Sequence, residues 1–233
     1  MSTDRKIAWF GIGLSVLGLI PIFRDANVQI IVAYCLLFFA LVGFFLYAAY
    51  RTSGPQYTTL SLKKELEIED REGHLSHLKR IQRIRVNYGS VEEIWCRGIY
   101  ADGKIDNFSV DGAAPPTHDR IESGHTVSLR KRFPEAIFSG HEATVEWSYD
   151  LHDSFPNSHE ALESDIRHGT RKVELTVLLP TDRLCIKASM HLLAGGDPVS
   201  QLDDPEISED RRSLRSIVWS PKSGHTLRLS WDW

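Results

Sequence analysis

The chain has 233 residues, a formal net charge of -4 at pH 7, 42% hydrophobic residues and 25% charged residues. This length allows one well-cored domain, or at most two small ones, after an N-terminal segment. A mildly acidic chain is a poor candidate for binding long nucleic acid or anionic lipid headgroups over a broad surface.

Two largely apolar runs, Ile7–Phe23 and Val28–Tyr50, open the chain and contain no Asp, Glu, Lys, Arg or His. As helices they would measure roughly 26 and 35 Å, against a hydrocarbon core of about 30 Å. The four residues between them, 24–27, leave room only for a tight antiparallel turn. The sequence therefore predicts a transmembrane helical hairpin over residues 1–50.

Flanking cations predict the orientation of this hairpin. Five cations, Arg5, Lys6, Arg51, Lys63 and Lys64, lie on the terminal side, whereas Arg24 at the tip has Asp25 beside it. We therefore expect both termini to be cytoplasmic. The three cysteines form no CxxC motif, which is typical of free thiols in a reducing compartment.

Small residues form a stripe on each predicted span, where another backbone can approach closely. The stripes are Gly11, Ser15 and Gly18 in the first span, and Ala33, Ala40 and Gly43 in the second. We expect the two helices of one chain to pack here, with packing between copies in a homo-oligomer as the alternative. Since neither run contains an ionisable residue, one copy is not expected to act as a transporter.

Residues 51–57 read as a linker, because Gly54 and Pro55 oppose continuation of the second helix. Residues 58–233 then show the alternation of apolar and polar residues that is typical of β-strands. Beyond the first hairpins, near residues 60–68 and 84–96, the predicted strands are Ile105–Val110, Thr126–Phe133, Ala143–Tyr149, Lys172–Leu179, Leu184–Leu192, Leu214–Trp219 and Thr226–Trp233.

One short helix is predicted between residues 157 and 169. Asn157 and Glu160 have capping-box spacing, Leu162 and Ile166 would share a face, and Gly169 is a plausible stop. This helix and the connection 194–213 make two long crossovers. They favour an antiparallel Greek-key β-sandwich, with a closed β-barrel as the alternative.

The tryptophans are expected in the core. Leu227, Leu229, Trp231 and Trp233 occupy one face of the last strand. Trp147 and Trp219 are also more typical of a core than of ligand stacking.

No catalytic motif is complete. The sequence has no GxSxG, no phosphate loop ending in Lys and Ser or Thr, and no HExxH. The ten histidines are scattered and no cysteine pair would close a zinc site. We therefore predict neither an enzyme nor a bound metal or cofactor.

Two arginine pairs are the candidate ligand site. Arg83 and Arg85, like Arg130 and Arg132, are two residues apart on predicted strands, so each pair shares a face. If the two strands were neighbours, four guanidinium groups would form a patch for a small anion. The alternative is an outward face on which these arginines form salt bridges with Glu residues.

The layout of paired N-terminal spans, Gly54-Pro55 linker and one β-rich domain resembles the two-transmembrane, β-strand-rich effectors of bacterial cyclic-oligonucleotide antiphage (CBASS) systems. The resemblance is one of architecture. It implies an inner-membrane protein whose cytosolic β-barrel senses a cyclic nucleotide, promotes oligomerisation and lets the spans disrupt the bilayer.

Two functions follow as hypotheses. The first is a ligand-gated antiphage effector, favoured by the charge-free spans and the arginine pairs. The second is a membrane-tethered protein-interaction domain, with the hairpin as a passive anchor.

Overall fold

The structure, a computed structural model, describes residues 28–52, 54–124, 126–167 and 169–233, without the side chains of 28–33 and 48–52. Contacts divide the chain into two compact units, Met1–Gly54 and Pro55–Trp233. The division falls within the predicted linker, 51–57.

The first unit contains helix α1, Val28–Thr52. Within the described residues no helix is long and apolar enough to cross a membrane, and no second helix forms a hairpin with α1. On this finding the predicted transmembrane hairpin and the multi-pass inner-membrane location are wrong. The first predicted span, 7–23, lies outside the described residues.

The predicted helix-packing residues are only partly visible. Gly11, Ser15, Gly18 and the side chain of Ala33 lie outside the described residues. Ala40 and Gly43 are exposed, and a Cβ added to Gly43 would meet no described atom within 4 Å. The described part of α1 therefore shows no packing at these two positions.

The second unit is a β domain. Its described strands are β1 Tyr57–Ile68, β2 Leu75–Val86, β3 Ser90–Tyr100, β4 Lys104–Val110, β5 Arg120–Ser123, β6 Thr126–Phe138, β7 Glu142–His152, β8 His159–Asp165, β9 Lys172–Leu178, β10 Lys187–Ala194, β11 Asp197–Gln201, β12 Glu206–Ile207, β13 Ser213–Trp219 and β14 Thr226–Asp232. A short 3-10 helix, Thr117–Asp119, precedes β5. Every strand predicted from residue 105 onward overlaps one of these.

The strands form three open sheets. The largest has the order β12-β13-β9-β1-β2-β7-β4, the second β11-β10-β14-β8 and the third β3-β6-β5. Because each sheet ends in two edge strands, the closed-barrel alternative is wrong, and the architecture is sandwich-like. The predicted antiparallel arrangement is wrong at one strand pair, since β1 and β9 pair in parallel.

One apolar core joins the three sheets. It includes Leu66 and Trp147 from the large sheet, Leu129 from the third sheet, and Leu229 and Trp231 from the second. Alternation places these side chains on the inner faces, as the period of two predicts. Trp147 and Trp231 are at most 1% exposed. Trp219 is instead 71% exposed, so its predicted core position is wrong.

The predicted helix over 157–169 is wrong, because β8 occupies this segment and pairs with β14. Glu160, Leu162 and Ile166 are buried at intervals of two or four residues, a pattern that an edge strand also satisfies. The capping-box contact exists without a helix: the Asn157 amide donates to Glu160 Oε1 at 2.6 Å. Pairing with the neighbouring strand therefore overrides the local helix signal.

The C-terminal strand supplies the first prediction. Trp231 packs against Phe155 and Trp233, with ring centroids 5.9 and 6.2 Å away. We expect Trp231→Ala to lower the free energy of unfolding by about 3–5 kcal/mol, because it removes a fully buried aromatic ring. Urea denaturation of the full chain, followed by far-UV circular dichroism, measures this change. Trp219→Ala is the matched control, and equal losses in both variants would contradict the assignment.

Candidate anion-binding site

The first predicted arginine pair lies on the outer face of the large sheet. Arg83 Nε donates to Glu142 Oε2 at 2.8 Å, and Arg85 Nε donates to Glu142 Oε1 at 3.0 Å. The hydrogen bond from Arg85 is the main cause that lowers the pKa of Glu142 below its usual value. Burial acts in the opposite direction, and the hydrogen bond from Arg83 lowers the pKa further. Both guanidinium groups therefore already have a carboxylate partner.

The second pair lies on β6 of the three-stranded sheet. Arg130 Nε donates to Asp119 Oδ1 at 2.6 Å, and an Arg132 nitrogen lies 3.3 Å from the same oxygen. Burial alone would raise the pKa of Asp119, but the Arg130 hydrogen bond and the Arg132 charge outweigh it, and the pKa is lowered. Because β2 and β6 belong to different sheets, the structure does not bring the four arginines onto neighbouring strands.

A cavity of about 600 Å³ lies elsewhere, over the inner face of the large sheet. We call it the inner-face cavity. Its floor comes from β1, β2 and β7, and its walls include residues 95–100 of β3 and residues 159–163 and 165 of β8. Its volume is typical of small-molecule sites.

Two cations lie opposite each other in the floor of this cavity. The strand register pairs Lys64 of β1 with Arg80 of β2, and Arg80 in turn with Trp147 of β7. On one side the flanking line of the same face is apolar, with Leu66 opposite Leu78, and on the other side Leu62 lies opposite Gln82. Like charges directly opposite each other destabilise a sheet, so this arrangement opposes folding unless something compensates it.

Lys64 is half-buried, and its Nζ donates to the backbone oxygen of Glu163 at 2.6 Å. Burial, and then the charge of Arg80, lower the pKa of Lys64 to about 8 from an ordinary 10.5. The carboxylates of Asp165 and Glu163 act in the opposite direction with smaller effect. The charged form of Lys64 is therefore destabilised by its surroundings in the folded protein.

Arg80 is also half-buried and contacts only neutral groups. One nitrogen lies 3.4 Å from Cys96 Sγ, another donates to Gln82 Oε1 at 3.2 Å, and the guanidinium carbon is 5.6 Å from the centre of the Trp147 ring. Its Nε is buried and has no hydrogen-bond partner within the described structure. This guanidinium retains capacity to bind an acceptor.

Among the described residues, neither Lys64 nor Arg80 forms an ion pair with a carboxylate. Two half-buried, opposed cations without an ion-pair partner cost free energy in a folded protein. An anion in the inner-face cavity would neutralise both at once. The arrangement therefore has the chemistry of an anion site.

The rest of the cavity lining is mixed: beside neutral side chains it contains the acidic residues Asp102, Glu160, Glu163 and Asp165 and the basic residues Arg97, Arg167 and Arg228. Burial, together with the thiol of Cys96, raises the pKa of Tyr149, so its hydroxyl remains protonated. Burial also raises the pKa of Glu160 at the far wall. Arg228 at the wall is paired with Glu163, with Nε and Oε1 2.7 Å apart.

Two edge strands border the cavity. β3 ends the three-stranded sheet and β8 ends the four-stranded sheet, so each has one side without a hydrogen-bonded strand. The β3 register shifts between Cys96 and Ile99, around Gly98, whose φ is +67°. Such a bulge re-aims neighbouring side chains, and here it lies at the cavity wall.

Sequence reasoning missed Lys64 and Arg80. The available signal was their position in the alternation: Lys64 lies between Leu62 and Leu66, and Arg80 follows Leu78 by two residues. A cation on the apolar face of a strand is unusual. Reading each strand as two faces would have singled out both residues.

Comparisons with known proteins give no identity. No family model matches the sequence, and no curated protein matches it. The M1 zinc metallopeptidase from Deinococcus radiodurans is 8% identical with a TM-score of 0.42, over 76% of this chain and 42% of that one. Legionella pneumophila aminopeptidase A, solved with aspartic acid, is 8% identical with a TM-score of 0.41, over 75% of this chain and 21% of that one.

The chain thus spans less than half the length of these structures, and TM-scores below 0.5 carry no argument about function. The comparisons also give no support to the prediction that the protein is not an enzyme. Within the described residues, no group of three or more His, Cys, Asp or Glu is arranged to hold a metal ion.

Replacing Lys64 by an apolar residue should stabilise the fold. Because the folded-state pKa is about 8 and the ordinary value is 10.5, the unfolded chain binds more protons at Lys64 between these values. The free energy of unfolding therefore rises with pH through this window, and the charged form costs stability below it. We expect Lys64→Met to raise this free energy by about 1–3 kcal/mol at pH 7.

Urea denaturation at pH 7 and pH 9.5 tests this expectation, since the gain in the free energy of unfolding from Lys64→Met should shrink at the higher pH. Lys63→Met is the matched control, because Lys63 forms a partly exposed ion pair with Glu65. This substitution should change the free energy of unfolding by no more than about 0.5 kcal/mol. A destabilised Lys64→Met would contradict the interpretation of the cation pair.

Asp119 makes the free energy of unfolding depend on pH in the acidic range. Its pKa is lowered in the folded chain, so its contribution is complete above the ordinary value of 3.8 and is lost as the pH falls through the folded-state value. We expect Asp119→Asn to be less stable at pH 7, and to lose less stability than the natural chain between pH 6 and pH 3. Urea midpoints across this range measure the effect, with exposed Asp203→Asn as the control for a lost charge.

Proposed function

We propose that the β domain binds a small anionic ligand in the inner-face cavity, through Lys64 and Arg80. The observation that supports this proposal is the opposed pair of cations, neither of which forms an ion pair with a carboxylate within the described residues. Unlike Arg83 and Arg85, which bind Glu142, these two side chains have no anionic partner in the described structure. A phosphate or carboxylate would supply one, with the strength of charge-assisted hydrogen bonds.

A cyclic nucleotide is the ligand class that the resemblance to antiphage effectors implies. The cavity volume of about 600 Å³ is large enough for a nucleotide-sized ligand. Tyr100 lines the same cavity and is 62% exposed, so its ring offers a face on which a base could stack. Phosphate on the cations and a base on Tyr100 would use both parts of the lining.

The test is isothermal titration calorimetry of the full chain against cyclic dinucleotides, cyclic trinucleotides and inorganic phosphate. We expect one cyclic nucleotide to bind, and Arg80→Gln to weaken its affinity about 10- to 100-fold, because a charge-assisted contact is lost. Arg83→Gln, on the outer face, should leave the affinity unchanged.

Three outcomes separate the claims. Binding of phosphate without any cyclic nucleotide would support the anion site and overturn the nucleotide class. No binding across the whole panel would overturn the proposal. Equal weakening by Arg80→Gln and Arg83→Gln would overturn the placement of the site.

A protein-interaction domain is the second candidate, because β3 and β8, which both contribute residues to the cavity lining, are edge strands. An extended peptide could add its backbone to such an edge. This function differs in its sensitivity: peptide binding through backbone hydrogen bonds should persist in Arg80→Gln, whereas anion binding should not.

A further inference from the structure

Lys64 has a chemistry that anion binding alone does not use. We propose that Lys64 is a carbonyl-reactive amine, which forms an imine with a small anionic aldehyde or keto acid whose anionic group is held by Arg80. This inference rests on the proposed anion site and names a ligand class for it.

The geometry places an amine and an anion-binding group side by side. Lys64 and Arg80 are direct cross-strand partners, and side chains in this relation have Cβ atoms about 5 Å apart. Both line the same cavity. A ligand anchored on Arg80 by its carboxylate or phosphate would therefore present a carbonyl carbon within reach of Lys64.

The surroundings of Lys64 leave its nitrogen free to react. Its hydrogen-bond partner is a backbone oxygen, that of Glu163, and not a carboxylate that would hold the ammonium form. When the ammonium loses a proton, one N–H can still donate to this oxygen. The lone pair of the neutral amine is then available to a carbonyl carbon.

Burial of Lys64, and then the charge of Arg80, are the physical causes of this reactivity. The Arg80 guanidinium stays charged at all physiological pH values, so the neighbouring amine is disfavoured as a second cation. With a pKa of about 8, a substantial fraction of Lys64 is neutral near pH 7.5, whereas an ordinary lysine is almost wholly protonated. Desolvation and an adjacent cation are the two conditions that activate amine nucleophiles in Schiff-base enzymes.

The reaction balances without any oxidant or reductant. Neutral Lys64 Nζ forms a bond to the carbonyl carbon, and one of its two protons is transferred to the carbonyl oxygen to give a carbinolamine. The C–O bond then breaks as the hydroxyl takes a proton from solvent and leaves as water, and the nitrogen gives its second proton back to solvent as the C=N bond forms. One amine and one carbonyl thus yield one imine and one water.

The test uses pyridoxal 5′-phosphate, an aldehyde with a phosphate group, on the full chain. Sodium borohydride delivers hydride to any imine and converts it to a stable amine, which peptide mapping by mass spectrometry locates. At a limiting concentration of the aldehyde, we expect Lys64 to be labelled at least about tenfold more than Lys63, its neighbour on the outer face of β1. Labelling of Lys64 should rise between pH 7 and pH 8.5, and inorganic phosphate should slow it.

Variants separate this inference from the proposed function. Lys64→Arg keeps a cation and should lose the adduct at this position while retaining reversible binding of the phosphate-bearing probe, measured by calorimetry without borohydride. Lys63→Arg should leave the labelling of Lys64 unchanged.

Reversible binding to the natural chain without a Lys64 adduct would overturn the imine and leave the anion site standing. Absence of both binding and adduct would overturn both. Equal labelling of all exposed lysines would also overturn the inference.

Discussion

The register of the central strands β1, β2 and β7 decides which side chains meet in this domain. Lys64, Arg80 and Trp147 share one line across these strands, and Lys63 belongs to the next line. Because successive side chains alternate between faces, the first line points to the cavity and the second to the outer surface. A slip of one residue would exchange the two lines, so the candidate site exists only in this register.

The arginines on the two faces of the large sheet have different partners. On the outer face, Arg83 and Arg85 share Glu142 and belong to a surface of paired charges. On the inner face, Arg80 lies beside an aromatic ring, a thiol and another cation. Exposed pairs contribute little to stability, whereas a buried uncompensated charge is costly. Natural sequences violate local rules mainly at functional sites, which makes the inner pair the informative one.

The predictable part of this fold is the alternation of apolar and polar residues. It predicted the strands that contain Trp147 and Trp231, whose neighbours repeat every two residues. It did not predict β8, because Asn157, Glu160, Leu162 and Ile166 satisfy a helix signal and a strand signal equally until β14 is present as a partner. The pairing of Lys64 with Arg80 depends on which strands become neighbours, and the sequence of either strand alone does not predict its neighbour.

The parallel pairing of β1 with β9 has a consequence for how the domain folds. Leu62 of β1 pairs with Val173 of β9, which lies far along the chain. The second edge of β1 therefore has no hydrogen-bonded strand until β9 has been brought to it. Closing so long a loop costs entropy before any contact rewards it, and non-local pairing of this kind slows folding. Until β9 arrives, the apolar face of β1 and its free edge are both open to other chains. The time before β9 pairs with β1 is therefore a period in which this chain is exposed to aggregation.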